Sequence, residues 1–170
     1  LGVSHNLIPP RIGSKDDLWR RAVDHGFGQL AAALASVGLD DAPTDLDRLR
    51  AIVVGFIEAN AARPAILRII SREAVAPGPR FDYLFEQYID PVRLFGADLL
   101  ARLEAAGEVR TASVSLVYFF MTHGAGGPLA LPALADRFGD PVDPADPEAV
   151  RRHAEEAVAV LFEGLVTRPH

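Results

Sequence analysis

Ser113-Val114-Ser115-Leu116-Val117-Tyr118-Phe119-Phe120-Met121 is the stretch on which the fold class turns. Its β-branched and aromatic residues would suit a strand. On a helix its apolar residues fall on nearly every side, which implies burial on more than one face. The helix is the preferred reading, because no partner strands appear elsewhere in the sequence. Thr111 or Ser113 supplies its N-cap. With this segment helical, the whole chain reads as α.

The flanking sequence supports that reading. Upstream, Phe81, Leu84, Phe85, Tyr88, Val92, Phe95, Leu99 and Leu103 recur at three and four residues, the longest periodic stretch. Pro91 falls inside it and is expected to kink it, and Gly107 to end it. Ala76-Pro77-Gly78-Pro79 is a break. Ile66, Leu67, Ile69, Ile70 and Ala74 mark a helix that takes Pro64 in its first turn. Leu46, Leu49, Ile52, Val53, Phe56 and Ile57 mark one that starts near Thr44 or Asp45. Leu18, Trp19, Ala22, Val23, Phe27, Leu30 and Leu34 mark another, capped by Ser14 with Asp17 three residues on and ended by Gly38. Downstream, Gly124 to Leu131 reads as a loop rich in glycine and proline. The last helix is capped by Asp146, with Pro147 at its first position, and carries Val150, Ala154, Ala157, Val158, Leu161 and Leu165.

The 170 residues are 49% hydrophobic and 24% charged, the balance of a globular chain. No run approaches ~20 apolar residues, so no membrane span is expected. The chain has no cysteine, which excludes a disulfide framework, a zinc finger and a thiol nucleophile. Leu1-Gly2-Val3-Ser4 lacks the basic start and apolar core of a signal peptide. With no initiating methionine, the sequence reads as a fragment. The net charge is -6, yet the first 23 residues carry four basic and two acidic side chains. The acidic remainder argues against a general basic surface for nucleic acid.

The sequence offers no catalytic constellation. His5, His25, His123, His153 and His170 form no His-Glu-x-x-His pair. His153 and Glu156 read as a solvated contact rather than a metal pair. Glu73 and His123 could face one pocket, but sequence alone cannot bring them together. Gly124-Ala125-Gly126-Gly127 precedes proline and leucine instead of Lys-Ser or Lys-Thr, so it is no phosphate cradle. The expectation is a protein that is not an enzyme, with no cofactor and no metal.

The string Leu1 to Trp19 resembles the end of a tetracycline-repressor-type (TetR/AcrR) DNA-binding domain. In that family a Gly-Val-Ser turn opens the recognition helix, and a Ser-Lys-x-x-Leu segment starts the next one. Here these are Gly2-Val3-Ser4 and Ser14-Lys15-Asp16-Asp17-Leu18. Pro64, Arg72-Glu73, the kinked helix ending at Gly107 and the closing Glu163-Gly164-Leu165 also have the family's look. The resemblance implies an all-α chain: residues 1–13 as the end of a helix-turn-helix, and 14–170 as a multi-helix ligand-binding and dimerisation domain. It implies a cytoplasmic, ligand-responsive transcriptional repressor that binds a duplex operator as a homodimer. Ser4, His5, Asn6, Arg11 and Lys15 would contact the DNA. Pro9 and Pro10 stand where the family has an aromatic and a polar residue, and they shorten the recognition helix to about Ser4 to Ile8. That pair motivates a second reading, a helical dimer that binds a ligand or a partner protein without reading DNA sequence.

Two sites follow. The segments 113–123 and 146–166 carry more apolar surface than one chain needs, and the family pairs the same segments across a two-fold axis. The expected seam is Val117, Phe120, Val150, Ala154, Ala157, Val158, Leu161 and Leu165, with Leu129, Leu131 and Leu134 nearby. The large aromatic residues of the body imply an apolar cavity for a hydrophobic small-molecule effector, neutral or weakly anionic. Its expected lining is Phe56, Ile66, Ile70, Phe85, Phe95 and Phe119, with Arg68, Tyr88, Tyr118 and His123 as polar groups.

Overall fold

Side chains start the helices where the sequence places them. In a computed structural model that describes residues 13–35 and 41–167, the Asp17 amide donates to Ser14 Oγ at 3.1 Å. The Ser14 amide in turn donates to Asp17 Oδ2 at 2.8 Å, a capping box with Asp in place of Glu. It opens α1 (Lys15–Ala35). Thr44 caps α2 (Asp45–Ala62) by accepting from the Asp47 amide. Pro64 stands at the N-cap of α3 (Ala65–Val75), and Pro79 begins α4 (Pro79–Leu84). Ser113 caps α6 (Val114–Phe119) through the Leu116 amide, and Asp146 caps α9 (Pro147–Leu165) through the Glu148 amide. Gly38 lies outside the described residues.

The long periodic stretch is helical throughout, with one widened turn. α4 runs into a π turn (Phe85–Ile89) and then α5 (Asp90–Ala105). The expected kink at Pro91 is realised this way. Pro91 has no N–H for the Gln87 carbonyl, and its ring would crowd that carbonyl. The helix accommodates an extra residue just before it, and the Asp90 amide reaches back five residues to Phe85 O. At the far end Gly107 adopts φ 72°, and its amide donates to Glu104 O while that of Glu108 donates to Leu103 O. This paired pattern closes α5 as a Schellman motif, which the left-handed glycine permits.

The helical reading of 113–121 holds, and it too passes into a π turn (Phe120–Ala125). The expected loop from Gly124 to Leu131 is corrected: it is largely helical. The π turn runs through Ala125, α7 (Gly127–Ala130) follows, and α8 (Pro132–Phe138) comes next. Glycine serves close approach here. A Cβ on Gly126 would lie 2.6 Å from the Thr122 carbonyl oxygen and 2.8 Å from Leu67 Cδ1, so the π turn packs directly on α3. Among the described residues the only β pairing is an isolated bridge between Val109 and Val166, which ties the end of α9 to the α5–α6 connection.

Two apolar clusters form the interior. The larger joins α2, α5, α6, the second π turn and α9 around Val53, Ile57, Leu99, Leu103, Ala154 and Val158. The smaller joins α1, α2, α3 and α4 around Val23, Phe27, Ala59, Ile66 and Leu84. α2 is the shared wall. α6 meets three environments: Val117 enters the larger cluster, Tyr118 faces a cavity, and Leu116 and Phe119 face outward. No helix among the described residues is long and apolar enough to cross a membrane.

Replacing Gly126 with alanine should therefore destabilise the chain by about 1–3 kcal/mol, the usual cost of overpacking against a backbone that cannot withdraw. Gly127→Ala, which meets nothing within 4 Å, should stay within about 0.5 kcal/mol of the parent. Urea unfolding of the two variants makes the comparison.

Candidate functional site: an apolar cavity beside α1

A cavity of about 250 Å³ lies between the two clusters. α1 contributes Phe27, Leu30, Ala31 and Leu34, α2 Phe56 and Asn60, and α3 Ile66, Leu67 and Ile70. The first π turn and the start of α5 contribute Gln87, Tyr88, Ile89, Pro91 and Val92, and Tyr118 and Thr122 complete the wall. Five of the six residues from 87 to 92 thus border one space, and the end of the widened turn falls in that run. Each of the two π turns supplies wall residues.

Of the sequence-predicted lining, Phe56, Ile66, Ile70, Tyr88 and Tyr118 stand at this cavity. Phe85, Phe95 and Phe119 are exposed instead, and Arg68 points to solvent on the outer side of α3. His123 borders a different groove with Leu131, Leu134 and Phe138. Glu73 borders a polar cleft with Asp16, Trp19 and Arg80, so the two residues do not meet. The periodicity of 81–103 puts Phe85, Tyr88, Val92 and Phe95 on one stripe. The π turn shifts the register within that stripe, which separates Tyr88 from Phe85.

Tyr88 connects the cavity to α1. Its ring stacks on Phe27, with centroids 4.3 Å apart and planes at 20°. Its hydroxyl donates to Asp24 Oδ1 at 2.5 Å, and the Tyr83 hydroxyl donates to the same oxygen at 2.6 Å. Nearer the start of α1, Arg80 pairs with Asp16 at 2.7 Å and lies over the Trp19 ring, while Arg20 lies over Tyr83. α1 is thereby held from Asp16 to Phe27 by α4 and the π turn. The hydrogen bonds from Tyr83 and then Tyr88 hold the Asp24 carboxyl below the usual aspartate range. Burial, followed by the bond to Asp24, pushes the Tyr88 hydroxyl up.

Asn60 is the other polar feature, and sequence reasoning passed over it. It is fully buried, with 0% of its surface exposed. Its Nδ2 donates to Phe56 O at 2.7 Å, and its Oδ1 has no partner. Thr122 Oγ1 donates to the Tyr118 carbonyl and is bonded to His123 Nδ1. Burial raises the Tyr118 hydroxyl above its ordinary value, so it stays protonated at neutral pH. Among the described residues no group of His, Asp and Glu is gathered to hold a metal ion. His153 Nε2 instead bonds the Ala125 carbonyl at 2.6 Å, which fastens α9 to the second π turn.

The expected dimer seam needs correction at residue level. Val117, Val150, Ala154, Ala157, Val158 and Leu165 are buried in the chain's own core, Ala154 at 0% and Val158 at 1% exposed. A seam side chain must be reachable from outside: Val150, Ala154, Ala157 and Val158 are not, and Val117 and Leu165 reach only the floor of a surface groove. Leu129 is also buried, whereas Leu131 and Leu134 are exposed. The outward faces of the same two helices carry Leu116 at 64% and Val160 at 63% exposed, with Phe120, Leu161 and Gly164 along a shallow groove between them. Of the expected DNA-contacting residues, Lys15 is exposed in the first turn of α1. Ser4, His5, Asn6 and Arg11 lie outside the described residues.

The described residues form an all-α architecture in which α1 leads into a helical body and borders its cavity. The chain is similar to the solved ketosteroid transcriptional regulator KstR2 of Mycobacterium tuberculosis. The TM-score is 0.68 at 22% identity, over 91% of this chain and 74% of that one. No protein-family model and no curated protein matches the chain.

A Tyr83→Phe/Tyr88→Phe double variant should return the Asp24 carboxyl toward the ordinary aspartate value of about 3.9, read by NMR titration. Asp24 has a depressed folded value, so its contribution to stability is present above about pH 4 and fades as pH falls through the folded value. In the double variant that acid-side loss should shrink.

Proposed function

We propose that the chain is the effector-binding and dimer-forming body of a ligand-responsive, DNA-binding transcriptional repressor. In this reading residues 1–13 end a helix-turn-helix, and residues 14–170 form the regulatory domain. The observation that carries it is the apolar cavity, one wall of which is α1, the helix that follows the proposed reading unit. Similarity of fold to a transcriptional regulator supports the same class. Phe56, Ile70, Tyr88 and Tyr118 contact the effector, while Ser4, His5, Asn6, Arg11 and Lys15 contact the operator. Two reading units held by one dimer fit a near-palindromic site. A regulator of this kind works in the cytoplasm, where its operator is.

The mechanism is a coupling between cavity and α1. An effector that enters between Phe27 and the far wall acts on the Phe27–Tyr88 stack, and through Tyr88 on Asp24. α1 then shifts relative to α4, and the two reading units change spacing. Coupling of this kind is reciprocal, so operator DNA must weaken effector binding by the factor that effector weakens DNA binding. The test is fluorescence anisotropy of the protein expressed from its full gene, on duplexes from that gene's upstream region. Saturable binding that a cavity ligand found by thermal shift releases is the expected result. A ligand-binding dimer with no preference among duplexes would favour the second reading, in which Pro9-Pro10 has ended DNA recognition.

The dimer rests on the outward face of α6 and α9. Sedimentation should give about twice 18.3 kDa at micromolar concentration. Leu116→Glu with Val160→Glu should yield the monomer without loss of helical signal, because both residues lie outside the core. Val158→Glu, by contrast, should unfold the chain, because it buries an unpaired charge.

A further inference from the structure

Asn60 sits in α2 between Ile57 and Ala61, on the buried side of the helix, and lines the cavity. Its amide orientation is fixed by its neighbour. The Phe56 carbonyl can only accept, so the Asn60 nitrogen faces it at 2.7 Å and the oxygen faces away. That oxygen is sealed from solvent and unpartnered. A buried acceptor without a donor is costly, and buried side-chain oxygens are rarely left so. The cavity borders Asn60, and a donor reaches the oxygen from there once the lining side chains part to admit it.

The other polar groups narrow the occupant. Thr122 has its hydroxyl hydrogen committed to the Tyr118 carbonyl and its oxygen engaged with His123. No lysine, arginine, histidine, aspartate or glutamate borders the cavity among the described residues. An ionised ligand would therefore be desolvated without a counter-charge. A cavity of 150 Å³ accommodates benzene, so 250 Å³ of similar apolar space takes a body of roughly ten non-hydrogen atoms.

We infer that Asn60 Oδ1 is the specificity-determining acceptor of this cavity, and that the ligand is a compact neutral molecule with an apolar body and one hydroxyl or N–H donor. The inference rests on the reading of the cavity as the effector site, and it names the chemistry that site selects. A phenol or an alicyclic alcohol satisfies Asn60. An ether, an ester or a plain hydrocarbon of the same size leaves the oxygen orphaned. A carboxylate offers Asn60 no donor and meets no counter-charge at the wall.

The experiment uses 2-naphthol, 2-methoxynaphthalene and naphthalene on the full chain, by calorimetry and by the intrinsic fluorescence of the naphthol. 2-Naphthol should bind at least tenfold more tightly than 2-methoxynaphthalene. Asn60→Leu, which removes the acceptor and keeps an apolar side chain of similar size, should erase that preference while naphthalene binds as well or better. Tyr118→Phe removes the rival hydroxyl and should keep the preference. If all three probes bind the parent equally, or if the preference survives in Asn60→Leu and disappears in Tyr118→Phe, the inference is overturned while the cavity stands as a ligand site. If none binds, the inference and the reading of the cavity fall together. Should Asn60→Leu not fold, the ranking on the parent and on Tyr118→Phe decides.

Discussion

Pro91 withholds a backbone hydrogen from the Gln87 carbonyl, and much of the cavity's geometry follows from that missing donor. A proline inside a helix must be accommodated by a kink, a break or a widened turn. Here the turn widens over Phe85–Ile89, immediately before the proline. The extra residue shifts the register between α4 and α5 without separating them. Leu84 before it and Leu99 after it both remain fully buried, while Tyr88 and Ile89 turn to the cavity beside Pro91 and Val92. An ordinary helix would keep Phe85 and Tyr88 on a common face with Val92. In the widened helix Phe85 is exposed, and Tyr88 is free to stack on Phe27 and bond Asp24.

The cavity exists because the chain builds two cores on one helix. Val53 and Ile57 of α2 face the larger cluster, and Ala59 faces the smaller. Small residues at 59 and 61 are buried in the two clusters near the end of α2, and Asn60 stands between them. A protein interior normally packs to crystal-like density, so open space between two clusters costs dispersion contacts along its whole lining. Asn60 adds an unmet acceptor at that wall. Both costs disappear if a ligand completes the packing, which sets this cavity apart from the cleft between α1 and α4 that Glu73 borders. In that cleft Arg80 already pairs with Asp16 and with the Trp19 face.

The helix starts were legible in the sequence because caps are local. Ser14, Thr44, Ser113 and Asp146 each need only a backbone amide two or three residues away, and each finds it. The glycine-rich segment after α6 was misread for a related reason. Glycine and proline signal turns by propensity, but Gly126 is there for its missing Cβ against Leu67, a contact no local pattern reveals. The stripe from Val150 to Leu165 shows another limit. Periodicity says that one face of α9 is apolar, not whether another chain or the same chain covers it, and α2 covers it. Asn60 was detectable in principle. It lies three residues after Ile57 and seven after Val53, squarely on a buried helical stripe, and a polar residue there is the one position that apolar counting overlooks.

The same arrangement sets how strongly an occupant could act at a distance. In the proposed mechanism an effector would shift α1 only by the difference between its affinities for two positions of that helix. Contacts with α2 and α3 are common to both positions and contribute binding without switching. Contacts with Phe27, Leu30 and Tyr88 would differ between them, because these residues belong to α1 or are bonded to it. A tenfold effect on DNA affinity needs about 1.4 kcal/mol of that difference, which is within what one disrupted aromatic stack and one charge-assisted hydrogen bond supply. Asn60 lies on the fixed wall, so in the proposed mechanism it selects which molecule enters, while Phe27 and Tyr88 convert its presence into displacement. Selection and transmission are then separable by residue, since α2 carries the one and α1 with the first π turn carries the other.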